Sequence, residues 1–460
     1  MALKTILFLA AFIACSGGAL YMPLLGILGY VGHYNLGPER QWWGAPLNYL
    51  GLRYSYTLAL MAAIGIAIHW RSLRYGKTFF VGQEKLLLAF LGAVWFSTLI
   101  SEQTEFYTVV DHPSVKMTKV VIFALMLTHV VTTVHRLDLL LWVLTVGALV
   151  LGLQAYWTPY SQFTSGRIET IGGPDFKEAN FLAAYLAAML PLIGVQFLRS
   201  RWLGKLVCLV AGAFAANAIV LTRSRGAFVG LVAGSVVAAL LAPRQHRAKI
   251  MVGLVVAALG WFYITNPAFW QRASTITASD EQRDVSAESR LEIWQATIQL
   301  VSNHPLGVGA GNFFQTIGRV DPRFVDRDTH NTFLRCAAEV GVQGIAVFLA
   351  VIAGSILSLR RLLREARLLP KPEREFVTYM SFGMIVSLTT LLACCMTMTL
   401  VYNEFVWWLL ALPVCLVRIQ DNAARSETAA LFLSEDGRVA KTPARSTSSR
   451  STKEVPNAGR

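Results

Sequence analysis

Twelve apolar runs, each near the length that crosses a bilayer, fix what this chain can become. A membrane-spanning helix needs about 20 mostly apolar residues. Such runs lie at 4–31, 53–70, 84–100, 117–134, 137–155, 179–198, 203–221, 226–242, 248–265, 332–358, 376–400 and 402–419. Backbone polar groups inside hydrocarbon must be bonded within their own segment, so runs of this length are helices. Charge supports the same reading. Only 15% of the 460 residues are charged, against roughly 25% in soluble domains, which leaves too little polar surface to coat a globule. The expected fold is an all-α polytopic membrane protein.

The formal net charge of +14 would suggest nucleic acid as a partner in a soluble protein. Here its position decides, and nucleic acid is excluded. With a cytoplasmic N-terminus, the loops after the second, fourth, sixth, eighth and tenth spans are inside. They hold Arg71, Arg74 and Lys77; Arg136 with Asp138; Arg199, Arg201 and Lys205; Arg244, Arg247 and Lys249; and Arg360, Arg361, Arg364, Arg367, Lys371 and Arg374. The opposite loops are acidic or mixed, as at Glu102, Glu105 and Asp111. This alternation is the positive-inside rule, and it puts both termini in the cytoplasm of a cell with an inner membrane. Lys4 and the apolar residues up to Cys15 resemble a signal peptide, but the apolar character continues to Val31 and further spans follow, so a retained first helix is expected. The six cysteines lie in apolar stretches and read as packing residues.

Two outer loops are long, at about 156–178 and 266–330. In the second, Leu291, Trp294, Ile298 and Val301 recur at helical spacing and predict a short amphipathic helix along the membrane surface. The run from His304 to Gly311 breaks that helix into a turn. Residues 1–419 form the transmembrane domain, and the polar segment 420–460 reads as a disordered cytoplasmic tail.

Some residues break the charge rule. Arg223 and Arg225 occupy a tight outer turn before the eighth span. They either snorkel to lipid headgroups or form an anion site. Arg225 and Gly226 open a helix whose N-terminal N–H groups point outward, and a guanidinium beside such a terminus grips phosphate. Arg290 opens the amphipathic loop helix, and Arg167 with Asn180 precedes the sixth span. Asp328, Thr329, His330, Asn331 and Thr332 lead into the tenth span. A lone histidine is more often structural than catalytic. However, His330 sits at an outer helix N-terminus, where the dipole favours the neutral imidazole that accepts a proton. Glu339, two turns further, is either buried and paired or part of the site. No metal-ligand or nucleotide motif is present, and no cofactor is expected.

These stretches resemble the bacterial O-antigen ligase / O-antigen polymerase superfamily, which includes O-glycosylation ligases. The likeness rests, in order, on Arg167 with Asn180-Phe181-Leu182-Ala183, on Thr222-Arg223-Ser224-Arg225-Gly226, and on Arg290 with Trp294 and His304-Pro305-Leu306-Gly307-Val308-Gly309. It ends with His330-Asn331-Thr332-Phe333-Leu334 and Glu339-Val340-Gly341-Val342-Gln343-Gly344. It covers about residues 160–360. The resemblance implies a metal-independent membrane glycosyltransferase whose donor is a glycan on undecaprenyl diphosphate. The acceptor would be a hydroxyl of lipid A core, protein or another glycan on the periplasmic face. By position, Arg225 and Arg290 would bind the diphosphate and His330 would activate the acceptor, with Arg223, Arg167, Asn180, Asn331 and Glu339 contacting substrate. Ligase and polymerase share this donor chemistry. A transporter of lipid-linked sugars would need charges near the bilayer midplane, and the helix interiors here are nearly charge-free.

Overall fold

The computed structural model describes residues 3–44, 51–73, 78–102, 107–244, 246–265, 270, 285–369 and 371–439. No strand occurs among the described residues apart from one isolated bridge. Among the described residues, ten α-helices precede the large loop: α1 (Leu3–Gly18), α2 (Pro23–Leu36), α3 (Tyr54–Ile68), α4 (Gly82–Ile100), α5 (Pro113–Val130), α6 (Val134–Trp157), α7 (Ala179–Arg199), α8 (Trp202–Thr222), α9 (Arg225–Leu241) and α10 (Arg247–Ile264). Within the loop lies α11 (Val285–Asn303), and after it come α12 (Thr332–Glu365), α13 (Lys371–Cys395) and α14 (Glu404–Val439). Eight described helices are long and apolar enough to cross a membrane, and α1, α3 and α9 are shorter apolar helices beside them. The buried share of the apolar window runs from 78% in α13 to 6% in α10, so α13 is central and α10 peripheral.

The first expected span is two helices. Pro23, which has no N–H to donate, starts α2, and the chain reverses over residues 19–22. Hydropathy misses the reversal because those four residues are apolar. Gly26 lies against Ala19 and Gly29 against Cys15, a pairing in opposite senses that makes α1 and α2 an antiparallel hairpin. Phe8 packs on Trp43 and Tyr54 with ring centroids 5.0 and 5.1 Å apart. At the other end, His69 bonds the Leu20 carbonyl at 2.9 Å. The start of α1 therefore lies at the same face as the starts of α3 and α14, while α14 runs to the opposite face, where Arg418 meets Phe79. The expectation of both termini on one side is corrected for the described helices by this extra reversal. α14 also continues to Val439, past the expected end at 419 and into the segment expected to be disordered.

The described ends of α2, α4, α6, α8, α10 and α13 gather at one face, which carries the candidate residues. The opposite face carries Arg199, Arg201, Arg244, Arg247, Arg361 and Arg364. Expected residues Arg74, Lys77 and Glu105 lie outside the described ones.

The large loop has a small core, built from Ile293, Ala296, Leu300, Val308, Phe313, Ile317 and Phe324 and closed by Ala338 of α12. The predicted amphipathic helix is α11, but its buried stripe is Ile293, Ala296, Thr297 and Leu300, with Trp294 and Val301 flanking it. Leu291 and Ile298 are exposed. The sequence pattern placed the helix correctly and rotated its face, because both sides of α11 carry apolar residues.

Candidate functional site

α12 is interrupted. At Gly341 φ is 82° and ψ is −178°, a conformation open to glycine and strained for any residue with a Cβ. The break releases the carbonyls of Ala338 and Glu339 and the N–H of Val342 from helical partners. Residues 304–311 fill the gap. Val308 N–H donates to the Ala338 carbonyl (2.9 Å), Gly309 N–H to the Glu339 carbonyl (3.0 Å), and Val342 N–H to the Pro305 carbonyl (2.8 Å). A Cβ on Gly341 would lie 2.4 Å from the Leu306 carbonyl carbon, and one on Gly307 would lie 2.5 Å from the Glu339 carbonyl oxygen. Two glycine-containing stretches some thirty residues apart in sequence are thus one interlocked unit, and it anchors the large loop to the bundle.

Ahead of the break, α12 begins with a polar chain. Asn331 is its N-cap, accepting from the N–H groups of Phe333 (2.9 Å) and Leu334 (3.1 Å). His330 precedes it at φ 48°, in the left-handed region. Asp328 holds His330 twice: Oδ2 accepts from the His330 N–H at 3.2 Å and stands 3.3 Å from Nδ1. The other carboxylate oxygen, Oδ1, accepts from Arg335 Nη1 (3.1 Å) and Thr399 Oγ1 (3.0 Å). Arg335 is buried, donates from Nε to Glu339 Oε1 (2.8 Å), and lies over the rings of Phe313 and Phe314 at 4.5 and 4.2 Å. Glu339 is fully buried, and Tyr402 donates to its Oε2 at 2.7 Å. Trp294 of α11 donates to the Thr329 carbonyl at 2.8 Å, which ties the loop helix to this chain.

A second group comes from the 156–178 loop and the α8–α9 turn. Arg167 donates from Nε to the Thr222 carbonyl (2.8 Å) and from Nη2 to Asn180 Oδ1 (2.7 Å). Asn180 Oδ1 also accepts from Ser224 Oγ (3.0 Å), and Ser224 is the N-cap of α9. Arg223 takes a left-handed φ of 49° and turns away to Tyr160 Oη at 3.1 Å. Arg225 is the first residue of α9, and the adjoining Gly226 lies against Thr397 and Met398. That same turn, residues 396–403, binds the α12 start: Asn331 donates to the Met396 carbonyl (3.3 Å) and Thr332 to that of Met398 (2.6 Å). The α13–α14 turn therefore joins the arginine group to the histidine group.

Electrostatics link the groups as well. Burial pushes the His330 imidazole below its ordinary value. Asp328 opposes this, and the positive charges of Arg290 and Arg167 push it further down. The neutral imidazole is the favoured form at neutral pH. Burial raises the Glu178 carboxyl, helped by the negative charges of Asp328 and Glu169 and opposed by Arg167. The five described non-glycine residues with left-handed φ are Ser165, Thr170, Arg223, Asp326 and His330, and all lie in loops of this face. Backbone strain of this kind clusters at working sites.

Of the residues read from sequence, Arg290 and Arg167 both lower the His330 imidazole, and Arg225 opens α9 next to Gly226, which lies against the α13–α14 turn. Asn180 and Asn331 are engaged in fixing Arg167 and capping α12. Glu339 was open between buried pairing and substrate contact; it is buried and paired, and reaches His330 only through Arg335 and Asp328. Sequence reasoning named Asp328 beside His330 without giving it a role, and missed Arg335, Thr399 and Tyr402. The i,i+4 spacing of Arg335 and Glu339 was a usable signal. Thr399 was hidden in an expected helix that ends at Cys395.

No curated protein matches the chain. The O-antigen ligase family model matches residues 210–349, a stretch that contains Arg223, Arg225, Arg290, His330 and Glu339. That match supports membership of the chain in the O-antigen ligase superfamily, and with it a glycosyltransferase or ligase type of chemistry in a multi-pass membrane protein.

Proposed function

We propose that the chain transfers a glycan from undecaprenyl diphosphate to an acceptor hydroxyl, and that the face carrying His330 is periplasmic. The observation that carries the reading is the Asp328–His330 contact within reach of the Arg290 and Arg167 charges. Asp328 at Nδ1 selects the tautomer with the proton on Nδ1, which leaves Nε2 as the acceptor of a proton. The acceptor hydroxyl gives its proton to His330 Nε2 while its oxygen attacks the anomeric carbon. The bond from that carbon to the diphosphate oxygen breaks, and undecaprenyl diphosphate leaves with the bonding pair. Arg225, Arg290 and Arg167 neutralise the charge that grows on the leaving oxygen, an effect that strengthens where water is excluded. The lysine- and arginine-rich opposite face supports a cytoplasmic assignment for that side, and so a periplasmic one for the site.

The test is in vitro transfer from an undecaprenyl-diphosphate glycan, offered lipid A core, glycan and protein acceptors in separate reactions. Arg225→Ala and His330→Ala should insert and fold as wild type does and lose transfer to every acceptor. Full activity in both variants would remove the mechanism. Which acceptor the wild type uses decides between ligase and polymerase. Impermeant labelling of a cysteine at Arg223 from the cytoplasmic side alone would remove the orientation.

A further inference from the structure

The donor proposed above is an amphiphile of an unusual kind. In a phospholipid, a polar glycerol ester layer separates phosphate from the acyl chains. In a polyprenyl diphosphate, hydrocarbon begins at the phosphate oxygen itself. A site selective for the second must put an apolar wall directly beneath its cations.

α9 has two faces. Gly226, Gly230 and Gly234 lie against Thr397, Cys394 and Thr390, so this side is pressed onto α13 and its following turn. The other side, at intervals of three and four, carries Arg225, Phe228, Val229, Val232 and Val236. Read from the rim inward, that stripe passes from guanidinium to aromatic ring within one turn, about 5.4 Å. The three valines below are exposed at the bundle surface.

α10 stands beside this stripe and barely joins the bundle: Val252, Val255, Val256 and Leu259 are all more than half exposed. A Cβ added at Gly253 or Gly260 would meet nothing within 4 Å. Contact between the two helices near the rim is aromatic. Trp261 stacks on Phe228 with centroids 6.0 Å apart at 27°, and Trp270 meets Phe228 edge-on at 6.2 Å. Interfacial aromatics commonly face headgroups, and Tyr263 is 91% exposed. Phe228 and Trp261 differ, since they are half-buried and stack on each other where α9 meets α10.

We propose that the gap between α9 and α10, below Arg225 and walled by Phe228, Trp261 and Val232, seats the first isoprene units of the polyprenyl diphosphate donor. This rests on the function reading above. It adds where the lipid lies and why a phospholipid of equal charge binds less well: its glycerol esters would fall against the Phe228 ring, where a polyprenyl diphosphate places hydrocarbon.

The test is binding to the purified full chain in detergent, with inorganic pyrophosphate, farnesyl diphosphate and dioleoyl phosphatidic acid as probes. Wild type should bind farnesyl diphosphate at least about tenfold more tightly than pyrophosphate, and phosphatidic acid should not displace it. Val232→Trp fills the gap from an exposed position and removes no buried contact. It and Phe228→Ala should each erase the farnesyl gain and leave pyrophosphate affinity unchanged. A farnesyl gain that survives both variants, or displacement by phosphatidic acid at equal concentration, would overturn the proposal. Pyrophosphate binding that is unchanged in Arg225→Ala would overturn the function reading instead, and it is read separately because that probe has no tail.

Discussion

Two buried arginine–glutamate pairs sit at opposite faces of the bundle, and they are built for different ends. Near the face opposite the site, Arg418 Nη2 lies 2.7 Å from Glu84 Oε2, with both side chains fully buried. Glu84 also accepts from Thr128 Oγ1 (2.6 Å) and the Val81 N–H (2.9 Å), while Arg418 reaches the Phe79 carbonyl (2.6 Å). This network closes on itself and pins α4, α5 and α14 together. At the site face, Arg335 pairs with Glu339 but also with Asp328, and Asp328 ends on a half-exposed histidine in a left-handed conformation. The described residues around Glu84 and Arg418 include none with a left-handed φ. The same ion-pair chemistry is a staple where every partner is internal, and a positioning device where the chain of partners ends at an accessible side chain.

Substitutions separate the two. The largest effect on rate belongs to His330→Ala, expected to lower transfer by about 10²–10⁴-fold, the usual contribution of a general base, with thermal stability near that of wild type. Arg418→Ala should do the reverse: a loss of about 3–5 kcal/mol of stability from leaving Glu84 buried and unpaired, read in a thermal melt, with unchanged turnover in the fraction that stays folded. Next is Gly341→Ala, which forces a Cβ into the break that receives residues 304–311. It should cost about 1–3 kcal/mol and lower transfer by detaching the loop from α12, a combined effect measurable by melt and assay together. The smallest is Thr399→Val. Removing one hydrogen bond to Asp328 is worth about 1 kcal/mol and should appear in kcat/KM with little change in melting temperature. Equal stability loss in Thr399→Val and Arg418→Ala would erase the distinction between the two networks.

Much of this was legible in the chain. Hydropathy located nearly every long helix, because lipid imposes one pattern on every spanning segment. It failed where the pattern says nothing: the reversal at residues 19–22 is apolar, and only Pro23 marks it. It also extended α13 to residue 400, across Met396 to Leu400, where the chain leaves the helix in a turn that buries Met398 and Leu400. The site was legible through residues that contradict their surroundings, namely Arg225 in an outer turn and His330 beside a helix start. Asp328, Arg335 and Tyr402 were harder to see. Asp328 and Arg335 stand seven residues apart, but neither lies in a motif, and Tyr402 gains its role only when α12 and the α13–α14 turn meet. The pairing of residues 304–311 with Gly341 was equally invisible, since a helix break leaves no trace in hydropathy.

The central claim is that Asp328 orients a neutral His330 as the proton acceptor. The pH dependence of kcat/KM for transfer, in wild type and Asp328→Asn, tests it most directly, because that parameter reports the free enzyme's essential base. In wild type the imidazole titrates below its ordinary value of 6.5, so activity should hold as pH falls to that point and be lost below it, as the ring gains its proton. Asp328 is a neighbouring charge that raises this value. Asparagine should therefore move the acid limb to still lower pH while lowering the plateau. An acid limb that stays in place, or moves upward, with a plateau equal to wild type would contradict the account.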